Sequence, residues 1–93
     1  MTPEGKVKKE IKAYLDEIGA YQFWPTQTGY GKRTVDCLAC IKGAFVAIEV
    51  KAPGKKADKF QLQIMNEIND VGGYAICIDN RGKLKEYVSL YIL

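Results

Sequence analysis

Two short apolar runs, 34–41 and 44–51, flank Lys42-Gly43. They constrain the fold more than any other stretch. Runs of this length suit strands, and Lys-Gly, although not the strongest turn pair, joins neighbouring strands tightly. With a two-residue turn, Ile41 faces Ala44 and Cys40 faces Phe45. Continued outward, this register sets Asp36 opposite Glu49 and Thr34 opposite Lys51. A longer turn would shift it. Directly opposed side chains have Cβ atoms ~5 Å apart, and like charges so placed repel. Glu49 and Lys51 share a face, because the strand period is two. Charges in apolar strands cost free energy unless they are paired or bind something. A cation relieves two facing carboxylates, and such a pair with open positions suits Mg²⁺ or Mn²⁺, which keep several waters. The backbone carbonyl of Val50 adds an oxygen. Lys51 can then orient a water nucleophile or stabilise charge on a phosphate. A plain salt bridge of Lys51 with Glu49 or Asp36 accounts for the same residues.

Helices flank these runs. Thr2 suits an N-cap and Pro3 the first helical position. Val7, Ile11, Leu15 and Ile18 recur at helical spacing, and Gly19 ends the helix. Glu4 projects onto this apolar stripe and Glu10 falls outside it. Glu4 either complements the helix dipole or turns a carboxylate inward. Residues 20–24 read as a short strand stopped by Pro25, with Tyr21, Phe23 and Trp24 as core and edge packing. The glycine-bearing loop that follows carries Tyr30, Lys32 and Arg33. It suits a nucleic-acid backbone and equally any exposed connection. Ala52-Pro53-Gly54 breaks the strand. Phe60, Ile64, Ile68 and Val71 then mark a second amphipathic helix, with Met65 widening its arc. Gln61 falls inside that arc and needs hydrogen-bond partners: a core backbone group, or a carboxylate, water or phosphate. After Gly72-Gly73, residues 74–79 form a nearly continuous apolar run, as expected of a sheet centre covered on both faces. Leu84, Tyr87 or Val88, and Tyr91 suggest a short final helix, with an edge strand over 87–93 as the alternative.

The 93 residues fit a single domain, 1–93, whose small core would gain from dimerisation. A net charge of +3 says little by itself. The lysines cluster, however: Lys6, Lys8, Lys9 and Lys12, then Lys51, Lys55, Lys56 and Lys59. That pattern reads as a solvated surface or as a polyanion-binding rim. The cysteines, Cys37, Cys40 and Cys77, read as reduced, buried thiols. Cys37 and Cys40 have C-x-x-C spacing, but on a strand they point to opposite faces, against a shared metal or disulfide. With no histidine, Cys/His zinc sites and histidine general bases are excluded. No apolar run approaches the ~20 residues of a membrane span, and the first residues lack the apolar core of a signal peptide. A cytoplasmic protein is expected.

The order helix, three strands, helix, strand and final helix makes residues 44–79 a crossover unit with parallel strands. Together with Asp36 and Glu49-Val50-Lys51, this resembles the PD-(D/E)XK nuclease superfamily, and more closely its small VRR-NUC branch of stand-alone phage-type proteins and repair-nuclease domains. The resemblance rests on Gly-Lys-Arg-Thr-Val-Asp36, on Phe45-Val-Ala-Ile-Glu49-Val-Lys51-Ala-Pro-Gly-Lys-Lys, on Gln61 and on Gly72-Gly73. It implies an α/β, restriction-endonuclease-like αβββαβ core, with a mixed central sheet flanked by helices and a short C-terminal helix. By the same resemblance, Asp36, Glu49 and the Val50 carbonyl hold Mg²⁺ or Mn²⁺, and Lys51 is the catalytic lysine. Gln61 matches the family's helix glutamine. Glu4 matches its first-helix glutamate, which touches the metal through water, with Glu10 as the fallback after a slip of the helix. Tyr30, Lys32, Arg33, Lys55 and Lys56 would contact DNA. The family usually has Gly-x-Pro-Asp where this chain has Thr34-Val35-Asp36; the proline is not a ligand. The implied function is metal-dependent hydrolysis of DNA phosphodiester bonds, selective for branched DNA such as a four-way junction, by a homodimer in the cytoplasm (a host's, for a phage protein). The alternative is a non-catalytic DNA-binding module on the same fold.

Overall fold

The described residues of the computed structural model are 1–26 and 33–93. They form α1 (Pro3–Glu17), β1 (Tyr21–Phe23), β2 (Cys37–Ile41), β3 (Ala44–Val50), α2 (Lys59–Asp70), β4 (Tyr74–Ile78) and α3 (Arg81–Tyr91). This is the expected αβββαβ order with its closing helix.

The hairpin sets the frame. Lys42 and Gly43 have φ of 52° and 83°, both positive, as a type I′ turn requires. The turn fixes the pairing from Ile41↔Ala44 to Cys37↔Ile48. β1 adds antiparallel to β2, with Tyr21↔Cys40 and Phe23↔Leu38. α2 carries the chain across to β4, which runs parallel to β3. The resulting strand order is β1-β2-β3-β4.

Strand alternation sorts the side chains onto two faces. Cys37, Ala39, Ile41, Val46, Ile48 and Val50 face α1 and α3, where Val7, Ile11, Leu15, Leu84 and Val88 complete the main core. Val35, Ala47 and Met65 form a smaller core under α2, with Ile64 and Ile68 packed against it. Thr2 caps α1 by accepting from the Gly5 N–H at 3.0 Å. Polar contacts tie the first layer together. Arg81 of α3 pairs with Glu17 of α1 and lies over the Tyr14 ring. Gln22 of β1 donates to Asp16 at 2.7 Å.

Three expectations change. The apolar run 74–78 lies at the sheet edge rather than its centre. It is apolar because α2 and α3 cover its two faces, which requires no strand beyond it; the Ala75 N–H is instead taken by the Asn69 side chain at 2.9 Å. Phe60 and Val71 are not part of the buried stripe of α2. They are 69% and 87% exposed, because they lie at the two ends of α2 and outside the cluster that Ile64, Met65 and Ile68 form against the sheet. Cys40 is exposed rather than buried, because α2 lies over β3 and β4 and leaves its face of β2 open. Cys37, three residues away, is buried, in keeping with their opposite faces. Among the described residues, no helix is long and apolar enough to cross a membrane.

Candidate active site

The register runs as the sequence implies as far as Cys37↔Ile48. Asp36 then leaves the ladder, and Thr34 does not pair with Lys51, whose N–H donates to the Ile78 carbonyl at 2.9 Å. Asp36 stays at the end of the hairpin because its carboxylate replaces a backbone partner: Oδ2 accepts from the Val50 N–H at 2.8 Å. The Val50 carbonyl points to the same side of β3 as its N–H, as strand geometry dictates. Just before Asp36, Val35 is 1% exposed and packs with Ala47 and Met65. Burial of its side chain anchors the segment just before Asp36 without a proline.

Glu49 is the one charged residue of the described chain that is buried, at 4% exposure. It lies on the α2 face of β3. Gln61 reaches it from the first turn of α2, with Nε2 donating to Glu49 Oε2 at 2.8 Å. The same amide is fixed at its other end, where Oε1 accepts from the Asp58 N–H at 2.9 Å. Asp58 in turn accepts from the Gln61 N–H at 2.8 Å. This capping box both starts the helix and aims the glutamine at the carboxylate. Lys51 Nζ stands 3.9 Å from the same Glu49 oxygen.

Burial, and then the negative charge of Asp36, push the Glu49 carboxyl up to about 7, against the weaker pull of Lys51. Desolvation and a like charge both disfavour the ionised form. A buried carboxylate so strained by its neighbour is a receptor for positive charge.

Not all the residues read from the sequence converge. Asp36, Glu49, Lys51 and Gln61 come together at the end of the β2–β3 hairpin. Asp36, Glu49 and Gln61 line an open cavity of about 550 Å³ with Lys8, Pro25, Arg33 and Thr34. Glu4 is half-exposed and pairs with Lys8 at 3.2 Å. Glu10 is exposed and acts on Arg81 of α3. Lys55 and Lys56 are exposed and line a different cavity, of about 430 Å³, with Asp79 and Lys83. Tyr30 and Lys32 lie outside the described residues.

Sequence reasoning does not single out Lys8 from the lysines of the first helix. Its Nζ lies 3.6 Å from Asp36 Oδ1 as well as 3.2 Å from Glu4 Oε2. Burial opposes its charge, but the Asp36 and Glu4 carboxylates outweigh that effect and raise its pKa above the ordinary value. The available signal is its i,i+4 spacing from an inward-facing glutamate.

Among the described residues, no three His, Cys, Asp or Glu side chains cluster as a metal site. The donors present are two carboxylates and a backbone carbonyl. That set fits a hard divalent cation that keeps much of its water and does not fit a soft, thiolate-preferring metal.

No family model and no curated protein matches this sequence. Among solved structures, one described as a VRR_NUC domain matches with a TM-score of 0.83, covering 98% of this chain and 99% of that one, at 20% identity. The chain therefore has the VRR_NUC fold along essentially its whole length.

Proposed function

We propose that the site hydrolyses DNA phosphodiester bonds with the help of Mg²⁺ or Mn²⁺. The single observation that carries this reading is the buried Glu49, set beside Asp36 with its pKa raised to about 7, and approached by both Gln61 and Lys51. A purely structural carboxylate has no need of a second carboxylate beside it. The likeness to a domain whose name denotes a nuclease supports the same reading.

Asp36, Glu49 and the Val50 carbonyl would hold the cation, which supplies positive charge to the scissile phosphate and lowers the pKa of a bound water. The protein's own residues perform the rest. Val50 N–H fixes the Asp36 carboxylate, and Gln61 fixes that of Glu49. Lys51, anchored beside Glu49, presents its ammonium to the charge that develops on the phosphate. Arg33 offers a guanidinium to the neighbouring DNA backbone. Lys55 and Lys56 extend the basic surface to the second cavity. The preferred substrate we propose is branched DNA such as a four-way junction, cut by a homodimer whose two sites address two strands.

A panel of linear, flapped, nicked and four-way DNA with Mg²⁺ or Mn²⁺ tests this. Cleavage is expected only with the cation. Lys51→Ala should lower the rate by about 10²–10³-fold, the typical cost of losing one transition-state charge donor. Asp36→Asn should abolish cleavage with the fold intact. Cleavage that persists in EDTA would sink the reading. Salt-sensitive binding without cleavage under any cation would leave the non-catalytic DNA-binding module. Sedimentation at micromolar concentration checks the dimer.

A further inference from the structure

Lys8 is a cation the site already contains, besides Arg33 and Lys51. It extends from α1 (Pro3–Glu17) toward the end of the β2–β3 hairpin, and its Nζ stands between two carboxylates, 3.6 Å from Asp36 and 3.2 Å from Glu4. An i,i+4 pair with Glu4 needs no third partner, and a surface lysine needs no place in the wall of the site cavity. Lys8 has both. Its side chain is one-third exposed, while that of Asp36 is 18% exposed. The ammonium can therefore move toward solvent while the aspartate stays fixed by Val50.

We propose that Lys8 is a two-position counter-cation, a positioning residue that neutralises Asp36 while the site holds no divalent ion and withdraws onto Glu4 when one takes Asp36. This rests on the metal-dependent reading above. Asp36 and Glu49 otherwise repel across the hairpin end, and Lys8 offsets that repulsion. A divalent ion displaces it because it carries two charges and reaches both carboxylates, whereas Lys8 reaches only Asp36. Glu4 then gives the displaced ammonium a partner already in contact. Its part in cation binding is exercised through Lys8 rather than through a ligand water.

The test is calorimetric titration of Mn²⁺ into the protein without DNA. Lys8→Ala should bind Mn²⁺ about three- to tenfold tighter than wild type, the range expected for removing a partly exposed competing charge. Lys8→Arg keeps the charge and should stay near wild type. Glu4→Gln leaves Lys8 with Asp36 as its remaining partner and should bind more weakly. In the Lys8→Ala background that loss should vanish, because the two residues act as one unit. Unchanged or weaker Mn²⁺ binding by Lys8→Ala overturns the proposal. So does a Glu4→Gln loss that persists in the Lys8→Ala background, since Glu4 would then act on the cation directly. Asp36→Asn separates the two levels: Mn²⁺ binding unaffected by that change overturns the metal-site reading itself, and the role of Lys8 with it. A single cooperative unfolding transition in every variant confirms that the fold is intact, and without cation Lys8→Ala should unfold slightly earlier than wild type, because the Asp36–Glu49 repulsion is no longer offset.

Discussion

Glu49 holds a proton more tightly than a surface glutamate does, and the consequence can be measured without any substrate. Burial and then Asp36 raise its pKa from 4.5 to about 7. A carboxyl raised in the folded state contributes stability that is fully present below its unfolded pKa and is lost as pH climbs through the folded one. The protein without a divalent cation should therefore resist urea better at pH 5 than at pH 8, by a few kcal/mol at most, at ~1.4 kcal/mol per pKa unit. Glu49→Gln should flatten that dependence. A wild-type urea midpoint that does not move between those pH values contradicts the assignment. At this scale the sequence discloses the chemistry but not all of the geometry. Charged residues in apolar runs are conspicuous, so Asp36, Glu49 and Lys51 stand out. Lys8 does not, because a lysine on an amphipathic helix is ordinary and its distinction lies in a contact to residue 36. The exposure of Phe60 is hidden for a similar reason: it is in helical phase with Ile64 and Ile68, but it lies outside the cluster they form against the sheet.

The β2–β3 hairpin is the most legible element. Its two-residue turn sets a register that the structure keeps for five pairs, Ile41↔Ala44 through Cys37↔Ile48. What the register does not convey is its end. Asp36 leaves the ladder because its carboxylate bonds the Val50 N–H, a side-chain substitution for a backbone partner that strand periodicity does not encode. The turn itself stores strain, since Lys42 has φ 52°, a region that side chains other than Asn, Asp and Gly seldom adopt. Lys42→Asn should therefore stabilise the protein by about 0.5 kcal/mol, read as a rise of a few degrees in Tm. A fall in Tm would mean that the lysine makes a compensating contact. The capping box of α2 is also visible as Asp58 followed three residues later by Gln61. Read from the sequence, Gln61 is an inward glutamine that bonds a core backbone group, or a carboxylate, water or phosphate. In the structure its Nε2 takes the Glu49 carboxylate and its Oε1 caps the helix, a role not assigned to it from the sequence.

At the scale of the molecule, the two faces of the sheet are unequally filled. α1 buries Val7, Ile11, Tyr14 and Leu15, whereas α2 buries Met65 alone among its residues. Local opening follows buried apolar contact. Amide hydrogen exchange in native buffer should therefore release the α2 amides before those of α1, and equal protection of the two helices would argue against this picture. The fold class and element order are readable because each helix and strand has its own period and its own stop signal. The place of β4 in the sheet is not, since a strand covered by helices on both faces reads the same at an edge as at the centre.

The two carboxylates sit on the sheet, but the groups that govern them come from opposite layers: Lys8 from one side and Gln61 from the other. Neither layer alone completes the arrangement. A ribosome releases Asp36 and Glu49 well before it releases Gln61 and the parallel strand behind it. A nascent or partly degraded chain thus carries the acidic pair without its setting. For a protein proposed to cut DNA, the acidic pair therefore gains its setting only when both helical layers have folded onto the sheet.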